Sequence, residues 1–489
     1  MRHISLLKHV MFGAGVLLLS TACANKQPAK STHPGPVSER DSSAKGREKI
    51  AITVYNQNFG LVREIRSVGL ARGRVSLAFQ DVSAHIQPET VHIRGLDDAD
   101  ALSVLEQNYR YDLLSPQKLL EKYVGKQIKV YRYNEKTGTE EPFDAKVLAV
   151  EKGTVLEING EVTYDFPGRF AFPEVPKNLL AKPTLVWLLQ SGAPRQRVEV
   201  SYITQNLNWV SDYVLTVDDQ DARGDLTGWV TLTNGSGTSY ENAELKLVAG
   251  DVQRVQEKMR QEMAVPMDAE EAGADEDHGF SEEGFFEYHL YTLGRPTDLL
   301  DKEQKQVTLL EARGIGIEKK LIFFGASHFY RGSYGQVVQN QKIGVFLDID
   351  NSEKNRMGMP LPQGTVRVYK ADKSGAKQFI GEDRIDHTPR DEEIRIKMGE
   401  AFDVVGDRKQ TNWRTLGMCA SESSWEIELR NHKDDAVTVE VVEPIAGEWE
   451  IVQESHRHKK EDSKTFKFDV GVPARGKSLL TYRVRVRWC

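Results

Sequence analysis

The chain has 489 residues, a formal charge of −7 at pH 7, 39% hydrophobic and 28% charged residues, and a pI of about 6.0. That length sets a prior of about three domains and is ample to bury real cores. An acidic balance gives no basic field to hold nucleic acid, so no nucleic-acid partner is expected. The acidity is concentrated: Asp268, Glu270, Glu271, Asp275, Glu276, Asp277, Glu282 and Glu283 fall together with no Lys or Arg among them. Besides Cys23, the cysteines are Cys419 and Cys489. In an oxidising compartment these two are able to pair, but sequence does not supply their Cα separation, and one buried plus one terminal thiol is the plainer reading. There is no CxxC and no Cys/His spacing for zinc.

At the N-terminus, Arg2 and Lys8 flank a short apolar run, Val10 to Leu19, and Ser20-Thr21-Ala22 precedes Cys23. A run this short cannot span a bilayer as a stable helix and reads as a signal peptide over residues 1–23. A Cys directly after small residues at that place resembles the lipobox of bacterial lipoproteins, although Ser20 stands where that motif usually has Leu and Leu19 lies one place earlier. The resemblance implies lipidation at Cys23, with the membrane as a partner through the lipid anchor. Ala24, rather than Asp, after the Cys implies the outer membrane. Ordinary secretion is the alternative.

Residues 24–48 are rich in Lys, Pro and Ser with almost no large apolar side chains, and are expected to be a flexible tether. Strand grammar begins at Ile50, where IAITVYNQNFGLVREI alternates about Asn56–Gly60, and continues in RVSLAF and TVHI. A different unit follows at about 101–180. Ser115-Pro116, QKLLEKYV and Gly125 give a helix with a cap, Pro at its first position and Gly past its end. Strands QIKVYRY, AKVLAVE, TVLEI and EVTYDF come next, the last two joined by Asn159-Gly160, the strongest short hairpin signal. This unit is expected to be a small barrel inserted in an N-terminal β domain, 49–197.

From Val198 to Asp251 three runs alternate at period two, around the turn Asn234-Gly235-Ser236-Gly237, as half-buried antiparallel strands do. The central sandwich is expected over 198–335, with a short helix at Gln253–Met263, a disordered acidic loop at about 264–284, and a strand pair formed by Phe285–Leu293 and Gln306–Ala312. Residues 336–489 read as short strands only, a second sandwich. The expected fold class is therefore all-β, two antiparallel β-sandwich domains with a small helix-plus-barrel insertion. No fixed-period repeat is present.

Val54–Val62, Leu207-Asn208-Trp209 with Asp212-Tyr213, Thr233-Asn234 with Gly237, and Ala249-Gly250-Asp251-Val252 resemble the bacterial family known as domain-of-unknown-function 4139. Pro360-Leu361-Pro362 with Gly364, Gly381-Glu382-Asp383 with Asp386-His387-Thr388, and Gly399-Glu400-Ala401-Phe402 resemble its second half. The resemblance covers roughly Val198 to Trp488. The chain is more distantly similar to the mucoidy-inhibitor A family, from whose usual coiled-coil insertion its small barrel departs. The family has no established activity, so the resemblance carries over fold and no catalytic residue.

No GxSxG, HExxH, P-loop or GxGxxG signature is present. Glu382, Asp383, Asp386 and His387 could bind a metal or do acid/base work, but Arg384 on the same strand face as Glu382 and Asp386 favours an ion-paired edge. Asp348-Ile349-Asp350-Asn351 begins like a calcium loop, yet Glu353 replaces the tight-turn Gly and no Glu closes it. His456 and His458 would share a strand face as a metal clamp, with Lys459 and Lys460 favouring a solvated basic hairpin. The acidic run is a cation or basic-partner trap, or a solvated loop. Trp187, Trp209, Trp229, Trp425 and Trp449 suit core filling. No catalytic, cofactor or metal residue is assigned, and no cofactor is expected. The expected function is an envelope lipoprotein acting as a non-enzymatic interaction or scaffold protein with an envelope protein partner. The alternatives are a hydrolase or carbohydrate-active protein using Asp383, Asp386 and His387, and a metal-stabilised adhesin.

Overall fold

A computed structural model describes residues 37–176, 178–254 and 280–489. The fold is all-β, with Pro116–Lys122 the single α-helix among the described residues. Alternation decides the strands. In Arg195–Gln205, the side chains of Gln196, Val198, Val200, Tyr202 and Thr204 are buried while the intervening ones face outward, as a two-residue period requires. This strand pairs along its length with Phe59–Gly69 inside an eight-stranded sheet.

That sheet, a four-stranded sheet and a five-stranded sheet enclose one continuous core running from Ile50 to Ile396, with Trp187, Trp209 and Tyr213 inside it. Segments expected on either side of residue 198 thus share a core, because Arg195–Gln205 belongs to one sheet and Leu207–Val217 to another, and the corner at Asn206 (φ 62) turns the chain between them. A second core, from Leu321 to Val486, fills a nine-stranded sheet. Expected as a sandwich, this unit is one sheet curled until its ends meet: Trp449 on one edge strand lies 6.0 Å from the His458 ring on the other. Two long strands, Gln336–Asp350 and Glu393–Gly417, run through both cores. Leu347, Ile349, Ile394 and Ile396 sit in the first and Ile343 and Val404 in the second.

The insertion has its own small core of Leu120, Tyr123, Ile128, Val130, Ala145, Val147 and Leu156 under five strands. Ser115 Oγ accepts the Lys118 N–H at 3.2 Å, capping the helix. Asn159 and Gly160 take φ of 52° and 84°, the mirror-image turn that matches strand twist.

The expected signal peptide with Cys23, the expected tether through residue 36, the helix expected at Gln253–Met263 beyond residue 254 and most of the acidic run lie outside the described residues. Within the expected tether, Ser38–Ser42 is a strand paired in parallel with Val75–Phe79; backbone bonds from that neighbour supply what its polar side chains cannot. Phe285–Leu293, expected as one strand, is broken at Phe286 (φ 58): Phe280–Phe285, which takes in the end of the expected acidic loop, pairs in a hairpin with Tyr288–Leu293, and Gln306–Ala312 lies instead against Arg223–Asn234. Cys419 and Cys489 form a disulfide with Cα atoms 5.7 Å apart, which corrects the reading as free thiols. The register that sets Ala420 against Arg487 carries the C-terminal residue to Cys419.

Candidate functional site

Residues that carry the family resemblance converge on the loop Pro360–Gln363. Leu207–Val217 pairs in parallel with Gly364–Ala371, Ser211 opposite Gly364. A Cβ at Gly364 would stand 2.4 Å from the Ser211 carbonyl oxygen, so only glycine allows this approach. The buried phenols donate to the loop, Tyr213 Oη to the Pro362 carbonyl at 2.8 Å and Tyr291 Oη to that of Pro360 at 3.0 Å. Ser211 Oγ donates to the Gln363 carbonyl at 2.6 Å. Burial pushes both phenols far above their ordinary pKa, so they remain donors. Leu361 and Thr388 exchange backbone bonds of 2.8 and 2.9 Å.

Thr388 brings His387 to the loop. Its Nδ1 accepts the Gln363 N–H at 3.2 Å, which leaves the neutral ring's proton on Nε2. Burial lowers the His387 pKa, Asp251 and Asp386 oppose that, and the nearby His289 adds to it. His289 Nδ1 is 2.7 Å from Glu282 Oε1. His387 therefore feels the charges of Asp251, Asp386 and His289, and on the hairpin 280–293 Glu282 is bonded to His289. Among the described residues, no group of three or more His, Cys, Asp or Glu is disposed to hold a metal ion.

The structure separates the expected acid/base set. Asp383 is committed to backbone, accepting the Arg384 N–H at 2.9 Å and the Lys397 N–H at 2.7 Å. Glu382 faces Arg367 at 3.3 Å, and Arg367 holds Asp212 at 2.8 Å. The ion-paired edge exists, but Arg367 of the neighbouring strand makes it instead of Arg384. Asp386 and His387 lie past the strand's end. In the calcium-like stretch, Asp348 is buried between Lys320 at 2.7 Å and Arg395 at 2.6 Å, and these cations hold its carboxyl below the usual range against the opposing effect of burial. Asp350 accepts Ser352 Oγ at 2.8 Å, and Asn351 ties the Met359 and Pro389 carbonyls. Beside them lies a cleft of about 430 Å³ lined by Glu318, Asp350, Lys354 and Glu393 among others. His456 and His458 do not share a strand face: the strand starts at His458, which bonds Glu454 Oε2 at 2.6 Å, while His456 bonds Ser455. Trp187, Trp209 and Trp425 are core residues, whereas Trp229 and Trp449 are only partly buried.

Sequence reading passed over the buried charges. Arg66 with Glu64 and Arg408 with Glu443 are ion pairs with no exposed side-chain surface. Tyr330 Oη donates to Glu443 Oε2 at 2.8 Å and lies 2.7 Å from Tyr482 Oη; burial pushes the Glu443 carboxyl and both phenols up. Their signal was positional, since Glu64 and Arg66 fall in phase with Val62 and Val68.

Two closed cores, charges spent on architecture and a pinned motif loop define an all-β protein whose polar groups mostly hold strands together. Residues 198–489 match the family described as "Domain of unknown function (DUF4139)", and the chain belongs to that family. No curated protein matches it.

Proposed function

We propose that the protein is a lipid-anchored envelope protein that acts by holding a protein partner rather than by catalysis. The disulfide between Cys419 and Cys489 carries this reading, because such bonds persist in oxidising compartments outside the cytosol. The leader ending at Cys23 agrees with it, as acylation there supplies a stable anchor. A scaffold role is further supported by the fate of the candidate catalytic side chains. Asp383 is consumed by backbone N–H groups and Asp348 by ion pairs, so neither is free to serve His387.

The test is crosslinking in intact cells with tagged wild type and Cys23→Ala, followed by identification of what co-purifies. An envelope protein enriched only with the wild type supports both anchor and partner. A Cys23→Ala protein that still sediments with membranes overturns the anchor. Anchored protein that enriches no partner overturns the scaffold role and turns attention to a soluble substrate.

A further inference from the structure

Edge strands expose unpaired backbone groups, and sheets normally guard them. The edge strand Lys377–Ile385 is guarded, since Asp383 staples it to Lys397 of a crossing strand. The strand Leu102–Arg110 is not. It pairs on one side with Thr184–Ser191, and no described strand pairs with its other side. Val104 and Leu105 are 44% and 46% exposed and Tyr111, just beyond, 70%. Glu106 and Arg110 are both exposed, and neither makes an ion pair among the described residues. Standing four apart, they lie on one strand face.

We propose that this edge joins two copies of the chain, antiparallel, about a two-fold axis passing Asn108. Charge selects the register. Centred on Asn108, antiparallel self-pairing sets Glu106 of each copy opposite Arg110 of the other. Centred on Glu106, it would set carboxylate against carboxylate. Opposite charges directly across a strand pair stabilise it and like charges destabilise it. A two-fold contact of this kind is self-complementary and closes after two copies. The strand's register against Thr184–Ser191 slips between Leu188 and Leu189, a bulge that leaves Leu105 without a partner there and sets Glu106–Arg110 apart as an unbroken run. An extended peptide of another protein would fit the same edge without needing the Glu106–Arg110 complementarity, which makes the two occupants separable.

The experiment is sedimentation velocity on the full chain in detergent solution, with paired charge reversals. Wild type is expected to show a concentration-dependent dimer. Glu106→Arg or Arg110→Glu alone weakens association by roughly tenfold or more, because two attractive pairs become repulsive, and the double reversal restores it. In parallel, Asn108→Cys sits opposite itself within disulfide reach. It gives a covalent dimer on oxidation, whereas Tyr133→Cys, exposed but away from this edge, does not. A wild type that stays monomeric, a double reversal that fails to restore association, or crosslinking of Asn108→Cys no better than the Tyr133→Cys control overturns the proposal.

Discussion

The guanidinium groups of Arg66 and Arg408 are each buried against a glutamate, one in each core, but their surroundings differ. Arg66 is saturated. Its Nε and Nη2 reach both oxygens of Glu64 at 3.1 and 2.9 Å, Nη1 serves the Ser42 and Gln80 carbonyls, and the group lies 3.6 Å from the Phe79 ring centre. Glu64 also takes Arg47 at 2.8 Å. The pair is local, two residues apart on one strand. Arg408 reaches Glu443 through Nη2 at 2.7 Å and the Phe324 carbonyl at 3.3 Å, and its Nε has no partner. Its glutamate comes from a strand 35 residues away and holds Tyr330, so this pair ties together segments that are distant in sequence. One charge pair completes a finished strand and the other specifies which strands close the curled sheet, at the cost of an unmet donor.

The largest expected effect comes from leaving one charge alone. Glu443→Leu should lower the second core's stability by about 3–5 kcal/mol, since an uncompensated buried cation remains. Adding Arg408→Met should return most of the loss, because the apolar pair removes the unmet Nε as well. Glu64→Leu should cost a similar amount in the first core, but Arg66→Met should rescue it less, as the Ser42 and Gln80 carbonyls lose their donor. Urea unfolding followed by tryptophan fluorescence measures all four. Equal rescue in the two cores would show that saturation is not what separates them.

The disulfide sharpens the same contrast, as it staples only the second core across 70 residues of sequence. Cys489→Ser should destabilise by about 2–4 kcal/mol. Hydrogen exchange should rise in Ala420–Asn431 and Lys477–Arg487 and stay unchanged in Phe59–Gly69. Uniform loss of protection would mean that the two crossing strands couple the cores into one cooperative unit.

Much of this fold was written in local patterns. The Ser115 cap, the Asn159-Gly160 turn and the alternation in Arg195–Gln205 each act over a few residues and are readable there. The crossing strands were not, because Gly344, Gly399 and register slips near Lys342 and Val345 break the period into short runs. Parallel pairing of Ser211 with Gly364 joins segments about 150 residues apart and leaves no periodic trace. The candidate site was half legible. His387 was singled out, but its bond from Gln363 and the charges of His289 and Asp251 that act on it depend on three strand ends meeting. Asp383 was grouped with it by sequence nearness alone, which its bonds to the Arg384 and Lys397 N–H groups undo, while Asp386 stays beside it past the strand's end.

The smallest effects are two pH slopes of opposite sign. Burial raises the Glu443 pKa above its ordinary 4.5, so folding favours its protonated form, and its contribution to stability declines as pH rises from 4.5 through the raised value. Glu443→Gln should remove that slope from the difference between variant and wild type. His387 behaves oppositely. Its pKa is lowered below 6.5, so its contribution is complete above 6.5 and is lost as pH falls from there through the lowered value, where a proton on Nδ1 ends the bond from Gln363. His387→Ala should cost about 1 kcal/mol at pH 7.5 and progressively less toward acid, read as midpoint differences in urea. A penalty that is the same at pH 5 and pH 7.5 would mean that His387 acts through packing alone and that its bond from Gln363 does not sense pH.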